Sequence, residues 1–146
     1  MNDETLSSKP PKSFYWIAGA AFVWDLMGVG AYLSTVMMSP DVMGAMSEAE
    51  RALYENTPAW STSMFAIAVH GGVLGTLLLL LRKALALPVL VVSLAAVFIN
   101  SAYTWFMTDA YAVLGAGQAV LSAIIFAVAA FLVWFASGAK KKRWLG

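Results

Sequence analysis

The chain is 146 residues long, 61% hydrophobic and only 12% charged, with a formal net charge of +1 and a mean hydropathy of +0.76. That balance excludes a soluble globular domain, and the lack of an extended basic patch excludes a nucleic-acid binder, which leaves the class of integral membrane proteins. The absence of cysteine also excludes disulfides, thiolate metal sites and cysteine catalysis.

The first twelve residues, with Ser7, Ser8, Pro10 and Pro11, read as a flexible cytoplasmic tail. Four apolar stretches follow, at 15–38, 59–81, 84–107 and 111–137. Each is long enough to cross a hydrocarbon core of about 30 Å, which takes about 20 helical residues. The first outruns the apolar core of about 7 to 15 residues found in a cleaved signal and is preceded by a polar tail, so it is expected to be retained. The runs are continuous rather than alternating, which excludes a transmembrane barrel. The expected fold is all-α, a four-transmembrane-helix bundle over 13–137 forming a single domain.

Only the connection 39–58 is long. Ser39-Pro40 predicts a helix start, and Ser47 with Glu50 fits a capping box, so a short external helix is expected there with Met43, Met46, Leu53 and Tyr54 on its apolar face. Thr57 is the expected N-cap of the second span, with Pro58 at its first helical position. Arg82-Lys83 and Thr108-Asp109-Ala110 mark tight turns between the later spans. The segment 138–146 reads as a basic cytoplasmic tail, with Lys140, Lys141, Lys142, Arg143 and Trp144 suited to an anionic membrane surface.

Charge placement orients the thread. Of nine basic residues, Lys9, Lys12, Arg82, Lys83, Lys140, Lys141, Lys142 and Arg143 fall on one side and only Arg51 on the other. The positive-inside rule then puts both termini in the cytoplasm. Asp41, Glu48, Glu50, Glu55 and Asp109 lie on the opposite side. Phe14, Tyr15, Trp16 and Trp134 mark one membrane interface, and Trp60, Tyr103, Trp105 and Tyr111 mark the other.

Two ionisable residues fall near the middle of spans: Asp25 in the first and His70, the only histidine, in the second. An aspartate at that depth costs at least about 2.5 to 3.5 kcal/mol, so such residues are usually functional. The two helices are sequential and antiparallel and the two residues are equally deep, which predicts that they are neighbours. One reading makes them a proton-binding or ligand site that loads and unloads near neutral pH. The other makes them a hydrogen-bonded pair that sets helix register. Gly28, Gly71 and Gly75, with Gly72 between the last two, are the expected close helix contacts. His70 follows Ala66 by one turn, a setting that also suits ligation of a haem or bacteriochlorophyll, although no second axial ligand is evident. No other cofactor and no metal is indicated.

A second polar layer comprises Asn100, Ser101 and Tyr103 on the third span and Gln118 and Ser122 on the fourth. Asn100 and Gln118 each stand seven residues from the expected external end of their span, so a hydrogen bond between them is expected. With Trp24, Tyr32, Trp60 and Trp105 this layer suits a small, sugar-like solute; helix adhesion plus interfacial aromatics is the competing reading. Phosphate-cradling loops, zinc spacings and a Ser-His-Asp set are missing, so an enzyme is not expected.

Several phrases carry a family resemblance: Trp24-Asp25-Leu26-Met27-Gly28, Pro58-Ala59-Trp60, the run from Phe65 to Gly72, the run from Leu77 to Lys83, and Lys142-Arg143-Trp144-Leu145-Gly146. Over nearly its full length the chain resembles small bacterial four-helix inner-membrane proteins labelled sugar transporters or sugar:proton symporters. The resemblance implies a bacterial inner-membrane carrier of a sugar-like solute. In that family's pattern the position of Asp25 is usually asparagine and that of His70 usually apolar or aromatic, so here an acid and a base stand together as a departure. Four helices are few for alternating access, which predicts a homodimer. A non-catalytic accessory subunit of a larger membrane complex, docking through its glycine face and Met37, Met38, Met43 and Met46, is the second expectation. Beyond the lipid bilayer, the expected partners are therefore a second copy or a larger complex, and a small solute.

Overall fold

The structure, a computed structural model, describes residues 9–146, so most of the expected tail at 1–12 lies outside the described residues. Seven helices follow in order: α1 (Lys12–Val36), α2 (Pro40–Ala45), α3 (Glu48–Glu55), α4 (Ala59–Leu80), α5 (Ala86–Phe106), α6 (Ala110–Leu114) and α7 (Ala116–Lys141). Four of them, α1, α4, α5 and α7, are long and apolar enough to cross a membrane. The all-α, four-helix membrane bundle is therefore the architecture. Large apolar side chains face outward, as at Trp16 and Phe106, because lipid is as good a solvent for them as a protein core.

The loop between the first two spans holds two short helices rather than one. Ser39 Oγ accepts from the Val42 amide and Pro40 opens α2. The capping box then starts α3, with Ser47 Oγ accepting from the Glu50 amide at 3.1 Å and Glu50 Oε2 accepting from the Ser47 amide at 3.2 Å. Arg51 staples the pair by donating to the carbonyls of Met43 and Met46 at 3.2 and 3.4 Å. The expected role of Thr57 is not taken up. Its hydroxyl donates to Leu53 O at 2.7 Å, one of the free carbonyls at the end of α3, and Pro58 becomes the N-cap of α4.

The fourth span also departs from expectation. Gly115 adopts φ 87°, ψ 177°, a conformation that only glycine enters freely, and it splits the stretch into the short α6 and the spanning α7. The fourth crossing thus begins at Ala116, five residues later than the sequence suggested, and runs on to Lys141.

Packing runs α1 on α4, α4 on α5 and α5 on α7, whereas α1 and α7 share no seam along their length. Small residues set the spacing. A Cβ on Gly71 would lie 3.2 Å from Ser93 Cβ, and one on Gly75 would lie 2.5 Å from Leu90 Cδ2, so these two glycines seat α5 against α4. Ser93 Oγ reinforces that seam by donating to Ala68 O at 2.7 Å. Gly28 rests against Val69 Cγ1 at 3.4 Å, between α1 and α4. All three glycines expected at helix contacts are found at them.

The ring of helices closes at the end that carries the described termini. Phe14, Ala18, Leu79, Leu90, Leu132, Ala136 and Ala139 form a buried cluster there. Phe14 stacks on Phe135 with centroids 5.6 Å apart and meets the Trp144 edge at 5.7 Å. The segment expected to be a basic surface tail is built into this end. α4 and α7 both finish in a Schellman turn with an arginine in the left-handed region, Arg82 at φ 57° and Arg143 at φ 61°. The Lys83 amide returns to Leu78 O, and the Trp144 amide returns to Ala139 O. The two turns then bond to each other, through Ala84 N to Gly146 O at 3.0 Å, Gly146 N to Arg82 O at 2.8 Å, and Arg82 Nε to Trp144 O at 2.8 Å. Burial of Leu145 supplies the reason: the last residues carry apolar surface that packs better than it hydrates.

Candidate functional site

Where α1 and α7 stay apart, the ring encloses a cavity of about 420 Å³. Trp24, Asp25 and Gly28 line it from α1, Phe65 and Gly72 from α4, Asn100, Ser101 and Trp105 from α5, and Ser122 and Leu132 from α7. A second cavity of about 750 Å³ lies at the loop end, bordered by Thr35, Tyr54, Thr57, Tyr103, Asp109 and Gln118. The two share Phe65, Asn100, Thr104, Trp105 and Ser122 in their walls. The two cavities therefore adjoin, the inner one reaching Asp25 and bordering the closed cluster at Leu90 and Leu132.

Asp25 is positioned by what Gly72 lacks. A Cβ at Gly72 would fall 2.9 Å from Asp25 Cγ and Oδ1 and 3.1 Å from Oδ2, so the carboxyl occupies the space a side chain would need. Oδ2 is buried in this seam with no hydrogen-bond partner. The Thr76 hydroxyl, one turn beyond Gly72, is the one side-chain donor within reach of the carboxyl, and it also lies 2.9 Å from Gly72 O and 3.1 Å from Val73 O. A carboxylate oxygen sealed away from water without a donor is costly. A proton on the carboxyl or a cation in the cavity relieves that cost.

His70 does not join Asp25. Its Nδ1 donates to Ala66 O at 2.8 Å, its ring meets the Tyr32 edge at 5.4 Å, and the residue is exposed on the outside of the bundle. No hydrogen bond or ion pair links the two side chains. The expected pairing fails for an angular reason. Depth fixed the level of His70, but at about 100° per residue it points about 200° away from Gly72, the position that receives Asp25. A group ligated by His70 would lie on the outer surface, apart from the cavity. His70→Phe is accordingly expected to leave ligand affinity at the Asp25 cavity within about twofold, since distant sites act independently; equilibrium titration of the variant checks this.

The outer polar layer is assembled differently from expectation. Asn100 Oδ1 accepts from Ser61 Oγ at 2.7 Å, not from Gln118. With the fourth crossing restarting at Ala116, Gln118 sits in the first turn of α7, exposed in the outer cavity, while Asn100 lies where the two cavities meet. Trp60 packs edge-on against Tyr103 at 4.8 Å and supports the wall from behind. Trp24 and Trp105 do line the inner cavity, whereas Tyr32 lines neither cavity and packs edge-on against Phe65 and His70.

Sequence reasoning missed Ser61, Phe65, Thr76 and Asp109, and counted Gly72 only as a packing residue. A glycine level with a buried acid was the available signal. Among the described residues no cluster of three side chains could hold a metal ion. The chain matches no family model, no curated protein and no solved structure.

Proposed function

We propose that the protein is a small-solute carrier, or a carrier subunit, of a bacterial cytoplasmic membrane, with both termini inside and Asp25 as the group that couples solute to protons. The observation that carries this reading is a pair of adjoining cavities, the inner one lined by a carboxyl whose Oδ2 is buried without a hydrogen-bond partner. A passive structural helix has no use for a costly acid facing a cavity. Asn100, Ser101, Ser122, Trp24 and Trp105 supply the mixture of few polar groups and apolar wall that small-molecule sites share. The resemblance to proteins labelled sugar:proton symporters agrees in class. A second copy is the simplest way for four helices to alternate access.

The absence of cysteine makes the test clean. In reconstituted vesicles, Ser122→Cys is expected to react with a membrane-impermeant maleimide added at the loop end, and Ala136→Cys, in the closed cluster, to remain unlabelled. Uptake of glucose or choline driven by an imposed pH gradient, and lost on adding a protonophore, is the transport readout. An unreactive Ser122→Cys together with no driven uptake overturns the reading, and recovery only with other subunits then assigns an accessory role.

A further inference from the structure

The two cavities are electrically one-sided. Among the described residues Asp25 is the only ionisable side chain lining the inner cavity, and Asp109 stands in the wall of the outer one. No lysine, arginine or histidine borders either cavity. Arg51, the only basic residue at that end, is directed to the Met43 and Met46 carbonyls. An anion would meet an unopposed carboxyl.

A neutral sugar would leave the Asp25 carboxylate without a counter-charge. Of the polar groups in the inner wall, Ser93 donates to Ala68 O, and Asn100 Oδ1 is occupied by Ser61. The Asn100 amide nitrogen and the Ser101, Thr104 and Ser122 hydroxyls remain for polar contacts, but none of them carries a positive charge to answer Asp25. The same wall includes three aromatic residues, Trp24, Phe65 and Trp105, alongside the one acid. Aromatic faces attract cations.

We infer that the inner cavity binds a small organic ammonium ion, its charge against Asp25 and its apolar substituents against Trp24 and Trp105. This rests on the cavity being the ligand site proposed above, but not on transport. The proton and the ammonium ion compete for one carboxyl, so affinity falls as pH is lowered. No other titratable group faces that carboxyl across the cavity: α4 presents Gly72 and Thr76, α5 presents Ser93 and Asn100, and α7 presents Leu132 and Ser122. His70 is turned to Tyr32 on the outer face, and Asp109 stands in the outer cavity.

The test titrates the full chain in lipid nanodiscs with benzyltrimethylammonium, read by calorimetry and tryptophan fluorescence, with glucose as the neutral comparison. Saturable ammonium binding that weakens at lower pH is expected. Asp25→Asn should reduce affinity by about tenfold or more, and Trp105→Leu by about two- to fivefold, with unfolding midpoints checked for each. If Asp25→Asn does not fold, Trp105→Leu and the pH series decide. Ammonium affinity insensitive to both variants, or to pH, overturns the inference. Saturable glucose binding without ammonium binding overturns it while leaving the carrier reading intact. Binding of neither overturns it as well, and with an unreactive Ser122→Cys the carrier reading falls too.

Discussion

Asp25→Asn is expected to abolish proton coupling while leaving the bundle at least as stable as before. The amide fills the same space on Gly72 but neither carries a charge nor exchanges a proton, so gradient-driven flux in vesicles should fall to the level of protein-free controls, a change of about a hundredfold or more if a single carboxyl is the coupling group. Stability should move the other way or not at all. Oδ2 is buried without a partner, and removing the charge from a carboxyl with so little compensation relieves a penalty of about 1 to 3 kcal/mol. Loss of function with unchanged or raised unfolding midpoint marks a residue kept for activity at the expense of stability. A fall in midpoint that tracks the loss of flux would instead make Asp25 a structural residue.

Gly75→Ala is expected to be the most damaging single methyl in the bundle. The added Cβ would stand 2.5 Å from Leu90 Cδ2 and 2.6 Å from Cγ, with the Leu90 amide nitrogen only 3.5 Å away. Leu90 is 3% exposed, so it has little room to swing aside, and α5 must shift on α4. Overpacking of this kind costs about 1 to 3 kcal/mol. Reversible unfolding in mild detergent measures it. A double variant with Leu90→Ala should recover part of the loss, because the second change removes the atoms the first collides with; a strictly additive double variant would place the damage elsewhere.

The four crossings could be read directly, because nothing but a membrane explains runs such as 84–107 in a chain this short. The Ser47 capping box was equally legible, since its chemistry is local. Angular relations were not. Asp25 and His70 share a depth, yet Gly72 rather than His70 receives the carboxyl, and helices apolar on every side give no stripe from which to read rotation. The Asn100–Gln118 expectation failed through Gly115: one left-handed glycine reset the counting, and hydropathy does not register it. Ser61 reached Asn100 across 39 positions of sequence, a contact no local pattern specifies. The last residues read as a charged tail because charge is conspicuous in sequence, whereas the apolar Leu145 that holds them down is not.

The closed end has an electrical consequence. If the adjoining cavities fill with solvent, as the proposed carrier requires, a transmembrane voltage would fall mainly across the closed end between Asp25 and Phe14. Those 11 residues span about 16 Å at about 1.5 Å per helical residue, little more than half of a hydrocarbon core of about 30 Å. The local field there would then be nearly doubled. A charge arriving at Asp25 from the loop end would cross little of it, while one that continues past Phe14 would experience almost the full 2.3 kcal/mol per about 100 mV. For the proposed carrier, voltage sensitivity would therefore belong to passage through the aromatic plug, and not to occupancy of the cavity.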